Sequence, residues 1–303
     1  MFDINRGSKL KEVIIEKYKL FQNFKINFID SQNNPLPLII IAGVNGTGKT
    51  TLLEYIHKEN LDDTIYLSAD KGLEDIKEFL PKYLFQKIFN EEADVAQTYK
   101  EVREYINSIF DGLNLKIEFD RRDAEGNLFF RNKKGSFFSI DDISTGEKTL
   151  LSKILYLYFK DIKNQIILID EPELSLHPRW QNQVLKLYEN FANENNCQII
   201  IATHSPHIIG SAKNEYIRIL TEDGVINDVL AYGRDIEWVL EEVMGASYTR
   251  EPTIAKKIEE CQELLNDEKY DEAERLIDAL EKIIGSDDSE ILAMRNDIAF
   301  WRE

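Results

Sequence analysis

The chain of 303 residues is 43% apolar and 11% aromatic, enough for one large packed domain or for a core with an appendage. Its formal net charge of −18 excludes a uniformly basic grip on nucleic acid, because phosphate binding needs local positive surface. No run approaches about 18 consecutive apolar residues and Met1–Arg6 lacks the basic and then apolar build of a secretory signal, so no membrane partner is expected and the cytoplasm is the expected compartment.

The acid is unevenly spread. Residues 234–303 hold 20 Asp and Glu against 9 Lys and Arg, net −11, which leaves −7 for residues 1–233. Two domains are therefore expected, a head over 1–233 and an acidic helical extension over 234–303. Cys197 and Cys261 have no metal-type spacing and read as structural thiols.

Residues 11–29 alternate partly, as two antiparallel strands turning near Phe21-Gln22-Asn23 would. Leu38 to Ala42 is an all-apolar run that ends in a glycine loop, and Thr50 to Lys58 reads as the helix after it. Thr64 to Ala69 is another strand. Helical patterns over 73–90 and 92–110, then a strand-rich stretch over 113–140 with turn signals at Glu125-Gly126-Asn127 and Lys133-Lys134-Gly135, form an insertion over about 71–142. Each of these helices spans roughly 25 Å at about 1.5 Å per residue, too little for a coiled-coil arm.

The second half predicts a helix (145–160), an apolar strand (165–169), a helix (178–195), an apolar strand (198–202), a helix (206–212) and short strands (216–220, 225–230). All-apolar strands separated by helices imply an α/β fold with a mostly parallel sheet covered on both faces. Amphipathic helices follow near 235–244, 252–266, 269–284 and 287–301.

The loop Gly43-Val44-Asn45-Gly46-Thr47-Gly48-Lys49-Thr50 fits G-x-x-x-x-G-K-[ST] between the strand and helix that such a loop requires. Backbone N–H groups of this loop face phosphates, Lys49 neutralises the β- and γ-phosphates, and Thr50 ligates Mg²⁺, with Thr51 beside it. This is an ATP or GTP site, in which Asn45, Gly46, Thr47 and Gly48 let the backbone turn around the phosphates. Asp170 and Glu171 close an apolar strand, where one carboxylate can hold Mg²⁺ and its neighbour can polarise the attacking water. His204 ends the next apolar strand, within reach of a γ-phosphate. Ser144-Thr145-Gly146-Glu147-Lys148 opens a helix, as a capping box and as a phosphate site that can cover the γ-phosphate of another subunit; both readings hold.

The order of these signals, with Pro172-Glu173-Leu174-Ser175-Leu176-His177-Pro178 after the acidic pair, resembles the ABC-type ATPase head of the SMC, RecF and OLD families over about residues 11–220. The resemblance implies that Gly43–Thr50 is Walker A, Ser144–Lys148 the signature motif, Asp170–Glu171 Walker B with Glu171 the catalytic base, Leu174–His177 the D-loop and His204 the switch histidine. It also implies a homodimer or higher oligomer, with two heads paired head to tail around two ATPs. There are departures: no glutamine of the Q-loop type follows Tyr66-Leu67-Ser68, so Ser68 or Asp70 stands near the metal or neither does, and Thr145 replaces a glycine of the signature, which weakens dimer-dependent hydrolysis.

The tail, from Ala231-Tyr232-Gly233-Arg234-Asp235-Ile236 through the helix after Gly285-Ser286-Asp287-Asp288, resembles that of small ATPases found beside HNH nucleases in bacterial anti-phage systems of the Septu and retron-associated type. A slow Mg²⁺-dependent ATPase controlling a nuclease or other effector in phage defence is the implied function. A RecF-like DNA-binding repair ATPase is the alternative, and a transporter subunit is disfavoured by Leu174-Ser175-Leu176-His177 where Ser-Ala-Leu-Asp is usual. Asp287-Asp288 reads as a helix cap, not a nuclease carboxylate pair. Arg121, Arg122, Arg131, Lys133 and Lys134 are the one dense basic group and read either as a solvated hairpin or as the first place to look for nucleic acid, which would otherwise be reached through a partner.

Overall fold

The computed structural model describes residues 9–60, 62–68, 76–112, 117–123, 128–132, 134–139, 142, 145–160, 162–174, 176–227, 229–245 and 250–301. β1 (Glu12–Tyr18) and β2 (Phe21–Asn27) form an antiparallel hairpin in which Tyr18 faces Phe21. The chain thus reverses at Lys19-Leu20, with Lys19 at φ 48°, upstream of the expected turn. Burial of Phe21 and Phe24, whose rings lie 4.5 Å apart, outweighs the turn signal of Gln22-Asn23.

β3 (Leu38–Gly43) runs into the glycine loop and α1 (Lys49–Glu59), followed by β4 (Thr64–Leu67). The insertion comprises α2 (Ile76–Phe85), which continues as a π turn over Gln86–Asn90, α3 (Val95–Gly112), and an antiparallel sheet of β5 (Ile117–Arg122), β6 (Leu128–Asn132) and β7 (Phe137–Ser139). Of its two expected turns, residues 125–127 and Lys133 lie outside the described residues, and Gly135 has φ 80°. Then follow α4 (Thr145–Phe159), β8 (Ile166–Asp170), α5 (Pro178–Glu194), β9 (Gln198–Ala202), α6 (Pro206–Ser211), β10 (Ile217–Thr221) and β11 (Gly224–Ile226).

The main sheet has the order β11-β10-β3-β9-β8-β4, parallel except at the edge pair β10–β11. Every residue of β3, β8 and β9 is buried, as strands covered on both faces must be. Register fixes the site: Ile41 pairs with Ala202, and Ala202 with Asp170. The carboxyl ends of three adjacent strands therefore finish level, where ligands of open α/β sheets bind.

Two buried polar side chains fasten this sheet to its surroundings. Gln198, fully buried at the start of β9, accepts from the Leu10 N–H (2.7 Å) and donates to the Leu10 and Leu36 carbonyls (3.0 Å each). Arg218 in β10 donates to the carbonyls of Asn27, Ile29, Glu215 and Ile217, which ties the end of β2 to the sheet.

The chain divides into two compact units, Met1–Met244 and Gly245–Glu303. The division lies beyond the Gly233 boundary that charge suggests. Ala231, Val239 and Val243 are buried in the first unit's core, so the short helix α7 (Ile236–Trp238) and the π turn Val239–Val243 belong with the head despite their acid. The second unit packs α8 (Pro252–Asn266), α9 (Tyr270–Ile284) and α10 (Ser289–Trp301) around Ile258, Cys261, Ile277, Leu280, Ile291 and Met294. Asp288 caps α10, its Oδ1 accepting from the Glu290 N–H at 3.0 Å while Arg250 donates to Oδ2 at 2.6 Å, which is a structural use of the Asp287-Asp288 pair. Cys197 and Cys261 are both buried free thiols. Among the described residues no helix is long and apolar enough to cross a membrane.

Candidate functional site

The loop between β3 and α1 is shaped by residues that only its own sequence can supply. Gly48 caps α1 at φ 95°, and a Cβ there would sit 2.8 Å from Phe21 and 2.9 Å from Leu20, so only glycine fits. Gly43 lies close under β10, where a Cβ would meet the Leu220 carbonyl oxygen at 2.4 Å. Thr47 Oγ1 donates to the Val44 carbonyl (2.9 Å), while Asn45 and Gly46 stand exposed at the tip.

Lys49 is 5% exposed, and its Nζ donates to the Gly43 and Val44 carbonyls at 2.8 and 2.9 Å. An ammonium has three N–H groups, so one remains for a ligand in the loop. Burial pulls Lys49 down to about 8, opposed by the negative charges of Glu171, Asp170 and Glu173. Thr50 Oγ1 donates to Asp170 Oδ1 at 3.2 Å, which joins the helix N-terminus to the end of β8. Thr51 follows, half-buried, on the first turn of α1.

Asp170 is 5% exposed, and burial raises its carboxyl, the Thr50 hydrogen bond opposing. Its other oxygen accepts from the Tyr66 hydroxyl at 3.3 Å. Tyr66 was not singled out by its sequence; only the pairing of β4 with β8 reveals it.

Glu171 extends the ladder by one bond, its N–H donating to the Ala202 carbonyl (2.9 Å), and then adopts φ 44°. A left-handed conformation at a glutamate costs of order 1–3 kcal/mol and clusters at functional sites. Here it accompanies a contact of 3.4 Å between Glu171 Oε1 and His204 Nε2. Burial, and secondarily the charge of Lys49, holds His204 below the ordinary histidine range. The ring is therefore neutral near pH 7 and able to give Glu171 a hydrogen bond through an Nε2–H tautomer.

The structure brings Lys49, Thr50, Asp170, Glu171 and His204 together. Thr145, Gly146 and Glu147 open α4, and no hydrogen bond of Lys49, Asp170 or Glu171 among the described residues comes from that helix. The capping box expected of Ser144 and Glu147 lies outside the described residues, as does Asp70; Ser68 directly follows β4. In the basic group, Arg121 pairs with Asp120 (2.8 Å) and lies 5.2 Å from the ring centres of Phe129 and Phe137, and Arg131 pairs with Glu118 (3.3 Å). These two arginines are engaged within the hairpin sheet.

A groove of about 580 Å³ adjoins the loop, lined among others by Leu20, Asn23, Gly46, Thr47, Glu222 and Asp223. The β10–β11 turn that forms one wall carries no motif and could not be read from the sequence.

A phosphate loop at the end of β3, an acidic pair at the end of β8 and a histidine at the end of β9 define an ABC-type ATPase. Residues 59–210, half of the chain, match the family described as "AAA domain, putative AbiEii toxin, Type IV TA system", and the chain belongs to that family. It is 30% identical over 234 residues to the Septu protein PtuA of Bacillus thuringiensis, an alignment covering 68% of this chain and 55% of that protein. It is 26% identical over 332 aligned positions to the "Retron Ec83 probable ATPase" of Escherichia coli, covering 98% of this chain and 59% of that one. The chain thus spans little more than half the length of these relatives. Among solved structures, the SMC head domain from Thermotoga maritima matches with a TM-score of 0.48 at 17% identity, over 74% of this chain and 100% of that one.

Proposed function

We propose that the chain binds and slowly hydrolyses ATP, that two heads close head to tail around the nucleotide, and that nucleotide occupancy controls an associated effector, a nuclease of the HNH type, in cytoplasmic anti-phage defence. The observation that carries the nucleotide part is the register Ile41–Ala202–Asp170, which sets the phosphate loop, the acidic pair and His204 side by side. Lys49 meets the outer phosphates, and the neighbouring groove, within the usual size range of ligand sites, takes the nucleoside.

The residues fit Mg²⁺: a hydroxyl and a buried carboxylate 3.2 Å apart, Thr50 and Asp170, supply hard oxygen ligands beside the phosphate loop. Bound there, the metal would neutralise charge on the β- and γ-phosphates. Glu171 orients and deprotonates the attacking water, and His204, neutral and in contact with Glu171, responds to the γ-phosphate. Thr145–Glu147, at the start of α4, reach the nucleotide of the opposing head. The Septu and retron relatives support an effector partner, as does the tail's resemblance to ATPases of such systems.

Two variants test the site. Lys49→Ala should lower ATP affinity by about 2–5 kcal/mol, roughly thirtyfold or more, read by titration of a fluorescent ATP analogue. Glu171→Gln should bind ATP, fail to turn it over, and accumulate a dimer seen by native mass spectrometry with ATP and Mg²⁺. Normal hydrolysis by Glu171→Gln would remove that residue as the base. Native mass spectrometry of the protein from its host, with its neighbouring gene product, tests the effector: a stoichiometric nuclease supports it, and a bare ATP-dependent dimer argues against it.

A further inference from the structure

Glu173 follows the acidic pair but serves neither Thr50 nor the His204 ring. Its Oε1 accepts two hydrogen bonds from the residues just after β9, from Thr203 Oγ1 at 2.6 Å and from the His204 N–H at 2.8 Å. The connection continues: Thr203 Oγ1 accepts from the Ser205 N–H (2.9 Å), and Ser205 Oγ donates to Gln181 Oε1 (2.6 Å) while accepting from the Ile208 N–H (3.1 Å). Residues 203–205 are thereby held on both sides of the histidine whose ring reaches Glu171.

The other oxygen of Glu173, Oε2, is closed to solvent and has no hydrogen-bond partner among the described residues. Lys153 of α4 is 4% exposed, no hydrogen bond or ion pair is found for its Nζ among the described residues, and its charge interacts with those of Glu173 and Asp170. A carboxylate oxygen closed to solvent without a donor is a local violation of the kind that persists at functional sites.

We propose that Glu173 is a positioning residue for ATP hydrolysis: it clamps the Thr203–His204 turn so that the His204 ring stays against Glu171. The inference rests on the ATPase reading of the site. What matters in it is the acceptor at Oε1, which glutamine can replace and alanine cannot.

Glu173→Gln, Glu173→Ala and Thr203→Val, each in the full chain, separate the possibilities. The His204 ring resonance of histidine-labelled protein without nucleotide, assigned with His204→Asn, reads the position of the ring independently of hydrolysis. Glu173→Ala should move that resonance and lower kcat roughly 10- to 100-fold, the scale of a misplaced catalytic group, while KM for ATP stays within about twofold. Glu173→Gln should restore both, and Thr203→Val, which folds around a side chain of the same shape, should shift both partway. An unmoved resonance with wild-type kcat in Glu173→Ala and Thr203→Val overturns the proposal. So does a Glu173→Gln variant as impaired as Glu173→Ala, or a loss of kcat accompanied by equal loss of ATP binding and melting temperature. Wild-type protein that does not hydrolyse ATP overturns the ATPase reading and the inference with it, whereas wild-type hydrolysis unaffected by Glu173→Ala overturns the inference alone.

Discussion

Lys49, Lys153, Asp170 and Arg218 of the first unit are each at most 5% exposed, whereas Arg295 of the second unit, paired with Glu274, Asp278 and Glu281, keeps 30% of its side chain in solvent. Every buried polar or charged side chain among the described residues belongs to the first unit. The helical unit is built of apolar contacts between three helices with its charges outside. The head accepts the desolvation of charge where three strands end, because a phosphate site needs fixed charges screened from water. Burial of charge, more than its amount, separates the two: the acidic unit is the one without a buried acid.

Ile277→Ala is the largest test of that contrast. Ile277 is fully buried at the centre of the helical unit, and its truncation should cost about 2–5 kcal/mol. Calorimetry should show one transition moving down while ATP-analogue affinity is unchanged; loss of nucleotide binding would mean that the two cores are not separate. Next is Lys153→Met. Removing this buried cation takes away a favourable charge from Glu173, which should cost roughly 1–3 kcal/mol by denaturant unfolding, and adding Glu173→Gln should recover part of it. Recovery would mark the two charges as one unit.

The smallest effect concerns acid. Hydrogen bonds from Arg250, then from the amides of Ile291 and Glu290, hold Asp288 below the usual carboxylate range. A depressed folded-state value stabilises above the unfolded value near pH 4, and the contribution disappears as pH falls through the folded value. Asp288→Ala should therefore lower the helical transition by about 1 kcal/mol at neutral pH, and the two proteins should converge between about pH 4 and 2.

The strands at 38–42, 166–169 and 198–202 were legible because burial on both faces leaves only apolar residues, and the phosphate loop because its glycines answer to backbone geometry. Lys49, Thr50, Asp170, Glu171 and His204 could be placed on one edge from strand ends alone. Glu173 could not: a third acid after an acidic pair looks like a polar turn, and its partners Thr203 and His204 lie 30 and 31 residues away. Nothing in the periodicity of α4 marks Lys153 as a buried cation. Charge alone marks a boundary at Gly233, whereas the compact units divide at Met244, since counting charge over 234–244 conceals that Val239 and Val243 supply burial to the first core.

Gln198 has a mechanical consequence. β9 is laddered to β3 on one side and β8 on the other, fixed at its first residue by three side-chain hydrogen bonds and just beyond its last by Thr203. Sliding it by one residue would break all of these at once, so the strand is stiff along its own axis. It acts as a stationary reference for the turn that bears His204 and, through its ladder to β8, for the one that bears Glu171.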